Sequence, residues 1–302
     1  MLESIILEGI VIGIGYALVA IGISITLHVL DIVNFSHGEL YMLGGFFTFF
    51  IMQWLNLPYV FAGILAVILT SLAAWLILGS ISKVISTDRM NTLLATFAIS
   101  LMVSNAVNVM LQGKSGTIAT PFVKPIIVGS MFIPGQRAVL LIVGLITIVT
   151  IWIWLRKSFM GKKIRAVAEN SDGAQIIGIA TNRIYRFVFI GGGAVAGLAG
   201  VLLSPITQVT ADMGLSTLIK GFVVLVIGGT GNIFGAAIGG LSLGIIESLG
   251  AAYINSAWKD VFGYALLIIV LLIQPSTILY FVRRKLSGMR NSDKKAVKGG
   301  TI

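Results

Sequence analysis

The chain has 302 residues, of which 57% are hydrophobic and 11% charged, with a mean hydropathy of +1.02, far more apolar surface than one soluble core can hide. A formal net charge of +10 would suit nucleic acid, but the cations sit in interhelical loops and the tail, where they set orientation in a bilayer. Cysteine is absent and only His28 and His37 are present, which excludes disulfides, thiolate metal sites and a histidine-built metal site. The composition predicts an all-α polytopic membrane protein, one transmembrane domain over residues 1–302, with 36 glycines to let helices approach closely.

Glu3 and Glu8 stand where a signal peptide would carry lysines, so the first apolar segment is expected to remain as a span. Residues 9–27 lack ionisable acids and bases and predict the first helix, with Gly9 and Gly13 at packing-motif spacing. A polar cluster follows: His28, Asp31, Asn34, Ser36, His37 and Glu39. Such groups beside a long uncharged run mark a solute or ion path, or they anchor in the headgroup zone, and spacing alone favours neither. Gly38 and Gly44-Gly45 could permit a broken helix whose free backbone groups line a path.

Leu40 to Ser82 carries no charge, and Asn56-Leu57-Pro58 splits it into helices two and three, since the residue before proline leaves the helical region. After Lys83, Asp88 and Arg89, a fourth helix is expected from Met90 to Leu111. Residues 112–137, with four glycines and prolines 121, 125 and 134, read as an extracytoplasmic loop. Helix five is placed at 138–155.

The stretch Arg156 to Arg186 is the long polar island of the chain, with Arg156, Lys157, Lys162, Lys163, Arg165, Arg183 and Arg186 against Glu169 and Asp172. A bilayer holds such a segment on the cytoplasmic side. Ile164, Val167 and Ala168 share a helical face, Asp172 three residues before Gln175 suggests a capping box, and Gly178 can end the helix that follows. The island reads as two short surface helices suited to a cytoplasmic partner, or as a solvated loop that only sets topology.

Helix six is expected from Phe187 to the Ser204-Pro205 break. The apolar stretch 221–250 is expected to enter the membrane twice, bending at Gly228, Gly229 and Gly231, as two short helices or a re-entrant hairpin. A single crossing would place the basic tail, residues 283–302, outside. With a last helix at 261–282, this gives about eight or nine membrane segments, an outside N-terminus and a cytoplasmic C-terminus. Glu247, alone in an apolar segment, is either partner to a buried polar group or part of a path.

Two nucleotide-like patterns fail. Gln112-Gly113-Lys114-Ser115 lacks the glycine a phosphate loop needs at position 108, which is Asn, and it follows an apolar helix. Gly229 to Gly235 misses the dinucleotide pattern by one position, and the spacing of Gly231, Gly235 and Gly239 suits a helix-packing ridge.

Three stretches together resemble the permease subunits of branched-chain amino-acid ABC transporters, the LivH type: Val33-Asn-Phe-Ser-His-Gly-Glu-Leu-Tyr-Met-Leu-Gly44; Ile164-Arg-Ala-Val-Ala-Glu169 with Ile177-Gly-Ile179; and Lys220 to Gly235 running into Glu247-Ser-Leu-Gly-Ala-Ala. Ser256-Ala-Trp-Lys-Asp260 and Gln274-Pro275 extend the likeness, although the family usually has Arg-Pro at the latter site. The resemblance implies a multi-pass inner-membrane permease without catalysis or cofactor. It implies partners: two cytoplasmic ABC ATPases, a second, non-identical permease and an extracytoplasmic binding protein. Arg165, Ala166, Glu169 and Gly178 would belong to the coupling element, and Asn34, Ser36, His37, Gly38, Glu39 and Glu247 are candidates for the translocation path. Alternatives are a permease for urea, short amides or other amino acids, and an ion-gradient transporter using Glu39 and Glu247. A membrane-embedded enzyme lacks an acid, base and nucleophile at usable spacing.

Overall fold

The computed structural model describes residues 2–85, 89–119, 122–128, 131–255 and 258–273. The end of the expected last helix, Gln274-Pro275, the basic tail, Ser256, Ala257 and Asp88 lie outside the described residues. Eleven helices are present among those described: α1 (Leu2–Leu30), α2 (His37–Leu55), α3 (Tyr59–Ile85), α4 (Arg89–Met110), α5 (Gly135–Lys157), α6 (Phe159–Glu169), α7 (Ser171–Ile176), α8 (Thr181–Leu203), α9 (Met213–Gly228), α10 (Ile233–Tyr253) and α11 (Lys259–Ile273). Six of them, α1, α3, α4, α5, α8 and α10, are long and apolar enough to cross a membrane. The loop between α4 and α5 carries a two-stranded antiparallel hairpin, β1 (Ile126–Val128) with β2 (Met131–Ile133), in register Ile126 to Ile133.

Helix α1 is the axis of the bundle, longer than residues 9–27 and buried along most of its length. Its Gly9 and Gly13 meet Gly244 and Gly240 of α10, so two small-residue ridges bring the backbones together where any side chain would collide. Gly235 and Gly239 do form a ridge, but toward α9, against Gly228 and Val224, while Gly231 lies in the turn between helices.

The pairings fix each helix's direction. Gly63, Thr70 and Ala74 of α3 meet Val201, Gly197 and Gly193 of α8, an antiparallel pair, and Gly250 and Gly263 bring α11 antiparallel to α10. The first residues of α1 and the last described residues of α11 therefore lie on opposite sides of the bundle, with α6 and α7 on the α11 end's side.

One chain break departs from the sequence reading. Gly38, Gly44 and Gly45 do not break a helix. They lie inside continuous α2 as close-approach points against Gly214, Gly197 and Ser204. The break is residues 31–36, opened by Asp31 at φ 54°, whose N–H closes α1 on the Leu27 carbonyl at 2.9 Å. The break expected at Ser204-Pro205 is present, since α8 ends at Leu203, but α9 starts at Met213, before the expected stretch 221–250, and so takes in Lys220.

Candidate functional site

His37, the first residue of α2, packs against Gly22 of α1 and Gly192 of α8. By helical rise these glycines lie about 12 and 16 Å inside the ends Leu30 and Thr181, so α2 begins deep in the bundle. Gly38 then meets the Gly214 carbonyl and Leu218, which puts the start of α9 at the same depth. One segment returns inward from the α6–α7 side and the other from the opposite side, and the two helices leave their meeting point in opposite directions. Both N-terminal ends carry partial positive charge, a setting that favours an anionic group between them.

That group is Glu39. It is 1% exposed, and its Oε1 accepts from Ser100 Oγ at 2.8 Å. Its Oε2 faces Gly214, where an added methyl would come within 2.7 Å, and it has no hydrogen-bond partner among the described residues. Asn34 shapes the entry to α2: its Oδ1 accepts from the backbone N–H of Ser36 at 3.0 Å and from Ser36 Oγ at 2.6 Å, while Nδ2 has no partner among the described residues. His37 Nε2 is likewise unmatched and points at Gly22 and Gly192. Buried polar atoms are normally paired, so three unmatched ones within six residues of chain set this junction apart from the rest of the core. His37 and Glu39 are buried in protein and do not stand in a headgroup layer.

Helix α4 supplies residues that the sequence reading missed. Thr92, Thr96, Ser100, Ser104 and Asn108 recur every fourth position, a polar ridge that winds along the helix from its buried side at Thr92 to its exposed side at Asn108. Thr96 Oγ1 accepts from the Phe35 N–H at 3.2 Å, Ser100 holds Glu39, and Ser104 Oγ donates to the Ala211 carbonyl at 2.6 Å. The outer end of the row opens into a polar cavity of about 490 Å³ lined by Ser104, Asn105, Asn108, Lys114, Thr210 and Asp212. One helical turn, about 6 Å, separates Ser104 from Ser100. The fourfold spacing was legible, but it sits within an otherwise apolar helix.

Glu247 does not join this cluster. It is fully buried on α10, where Tyr16 OH donates to its Oε2 at 2.8 Å and Lys220 Nζ lies 3.2 Å from its Oε1. Lys220 also donates to Tyr16 OH at 3.0 Å and lies over the Tyr16 ring. Two lone opposite charges in neighbouring apolar segments were the available signal.

At Gly228 to Gly231 the chain turns from α9 to α10. Gly228 packs on the Gly235 backbone, Gly229 and Gly231 take φ of 82° and 77°, and the Gly231 N–H donates to Ser24 Oγ at 2.8 Å. Asn232 caps α10 by accepting from the Gly235 N–H.

The polar island folds as the end of α5, then α6 and α7, then the start of α8, which begins at Thr181 rather than Phe187 and so takes Arg183 and Arg186 into that helix. Ser158 caps α6 on the Gly161 N–H at 2.9 Å, and Ile164, Val167 and Ala174 form a small core with Val29, Ile184 and Val188. The cap of α7 is Asn170, accepting from the Gly173 N–H at 2.9 Å, and not a box built on Asp172, which already lies within the helix. Gly178, at φ 86°, ends α7: its N–H reaches the Gln175 carbonyl and the Ile179 N–H the Ala174 carbonyl, the paired closure that a left-handed glycine permits. Arg165 turns back to the carbonyls of Leu155 and Arg156, Ala166 is half-buried and Glu169 is exposed. Beyond them Ile176 and Ile177 stand 86% and 74% exposed. Sequence reading did not single out these two side chains as a contact.

No group of three or more potential metal ligands occurs among the described residues. Residues 5–271 match the family described as branched-chain amino acid transport system / permease component. Over 293 residues the chain is 34% identical to the high-affinity branched-chain amino acid transport system permease protein LivH of Salmonella typhimurium, covering 90% of this chain and 93% of that protein. The permease protein BraD of Pseudomonas aeruginosa is 30% identical, covering 91% and 94%. Among solved structures, PsaBC from Streptococcus pneumoniae in complex with Fab superposes with a TM-score of 0.53 at 11% identity, covering 89% of this chain and 90% of that one, a likeness of fold.

Proposed function

We infer the function from one premise: the chain belongs to the family of permease components of branched-chain amino acid transport systems. It is a multi-pass membrane permease subunit of an ABC importer for branched-chain amino acids. The bundle has no nucleotide-binding loop of its own, so ATP hydrolysis belongs to two cytoplasmic ABC ATPases. A second, non-identical permease and an extracytoplasmic binding protein complete the importer. The basic α6–α7 side faces the cytoplasm, which leaves the start of α1 outside.

The observation that carries the coupling role is the end of α7, where Ile176 and Ile177 are exposed to water. A well-capped helix holding apolar side chains away from its own core presents a surface for a partner. The same element shares its small core with Val29 of α1 and Val188 of α8. A push on α7 is thereby passed to α1 and α8, whose Gly22 and Gly192 flank His37. ATP-driven closure of the ATPase pair would shift these helices and open or close the junction of α2 and α9. The path runs from the polar cavity along Ser104 and Ser100 to Glu39, with Asn34, Ser36, His37 and Gly38 shaping its narrow point. Glu247, neutralised by Lys220, holds the bundle beside it, and an ion-gradient mechanism loses one of its two carboxylates.

The test is Ile177→Asp and Glu169→Arg in the assembled importer. Both should lose ATPase co-purification and leucine uptake while the permease still inserts in the membrane. Normal uptake by both variants would refute the coupling surface, and uptake by the permease pair without its ATPases would refute the importer.

A further inference from the structure

Where α1, α5 and α6 converge with the turn before α10, a cleft of about 240 Å³ is lined by His28, Trp152, Arg156, Arg165 and Asn232 over an apolar floor that includes Val29 and Ile233. No carboxylate is among its lining residues. The Arg156 guanidinium stands 5.3 Å from the Trp152 ring, and Arg165 engages the Leu155 and Arg156 carbonyls. A guanidinium carries five N–H donors in a planar fork, more than those carbonyls can take, and its geometry suits phosphate oxygens. The cleft lies at the last turn of membrane helix α5, at the level where interfacial tryptophan and arginine meet lipid headgroups.

A second cavity, of about 290 Å³ and almost wholly apolar, shares the wall of Ile25, Leu155 and Ile164 and extends deeper along Gly191 and Gly192. Nothing lies within 4 Å of a methyl built on Gly191, so the helix surface there is open. A cationic cleft at membrane-surface height and an apolar groove beginning at the same residues match the two halves of one molecule.

We propose that this cleft is a binding site for an anionic phospholipid, with the headgroup phosphate held by Arg156 and Arg165 and an acyl chain lying in the neighbouring groove. The proposal rests on the bundle lying in a bilayer and not on the transported solute. A free phosphate would leave the apolar floor and groove unfilled, and a zwitterionic lipid would bring its own cation toward two arginines. A lipid seated here would tie the end of α5 and the start of the coupling element to the Gly231 turn.

The experiment uses the assembled importer in nanodiscs of phosphatidylcholine containing a small fraction of photoactivatable phosphatidylglycerol, with crosslinks mapped by mass spectrometry. Crosslinks are expected on peptides spanning Trp152 to Arg165 and Gly231 to Ile233, well above those from photoactivatable phosphatidylcholine. Arg156→Gln and Arg165→Gln should each reduce them about fivefold, the contribution of one cation near an anionic lipid. If the Arg165 variant fails to assemble, Arg156→Gln and raised salt on the unmodified protein carry the test, since screening should weaken the crosslinks. Equal crosslinking by the two lipids, indifference to both Arg156→Gln and salt, or displacement by millimolar inorganic phosphate would overturn the proposal. Leucine uptake does not enter the readout, so failure here leaves the transport assignment standing, and failure of that assignment leaves this site standing.

Discussion

Glu39 and Glu247 are both carboxylates with almost no exposure in the interior of the same bundle, yet their surroundings differ in kind. Glu247 meets a cation, a phenol and the close approach of Gly263, all from regular helices. Glu39 meets one serine hydroxyl and the first turns of two interrupted helices, with Oε2 unmatched. A buried charge with an ion partner has its desolvation offset within the fold. One held mainly by helix ends and a single neutral donor retains capacity for a further contact, which is what a transport path requires. On the proposed function Glu247 braces the bundle and Glu39 serves the path, although an apolar neighbourhood in sequence makes them look alike.

The largest expected effect tests the structural half. Lys220→Met strands Glu247 without its cation, and breaking a buried pair in this way costs about 3–5 kcal/mol. Permease yield and thermal stability in detergent should fall sharply. Replacing both partners, Lys220→Met with Glu247→Met, should recover most of that loss, because the charge and its desolvation disappear together. If the single variant is as stable as the parent, the pair does not brace α9 against α10 and the comparison fails at its firmer end.

The functional half predicts the opposite pattern. Glu39→Gln preserves shape and leaves the protein assembled, but a bond to a charged group, of about 1.5–3 kcal/mol, is weakened. Leucine uptake should drop by roughly ten- to a hundredfold at unchanged permease level. Loss of assembly in place of uptake would make Glu39 a second Glu247. Ser36→Trp is a poor probe of the same turn, because Ser36 is fully buried and engaged by Asn34, so a large ring would destroy the site it is meant to block.

Much of this architecture could be read from the chain because hydrophobic length and charge placement act locally. The polar island, the Asn56-Leu57-Pro58 break and the glycine turn before α10 all announce themselves within a few residues. The helix break at 31–36 was shifted to Gly38 and Gly44-Gly45, because glycine in a membrane segment serves either a bend or a contact, and only the neighbour decides. Gly44 is needed for Gly197, more than 150 positions away. The sequence leaves Glu247 between a buried partner and a path, and marks neither Lys220 as that partner nor the α4 row, for the same reason: each residue looks isolated until a helix distant in sequence is laid against it. Asn170 took the capping role expected of Asp172 by starting α7 two residues earlier.

The smallest effect is the most discriminating, because it separates the α4 row from general packing. Ser100 donates to Glu39, and Ser100→Ala removes that donor with little change in volume. The hydroxyl's net contribution is about 1 kcal/mol, so uptake should fall about fivefold while stability in detergent stays close to the parent's. In the Glu39→Gln background Ser100→Ala should have much less effect, since the two side chains act through one contact and their losses do not add. Ser104→Ala breaks a bond to the Ala211 backbone instead, so its loss should persist in that background. Full additivity of Ser100→Ala with Glu39→Gln would detach α4 from Glu39 and leave that carboxylate's function to the two helix starts alone.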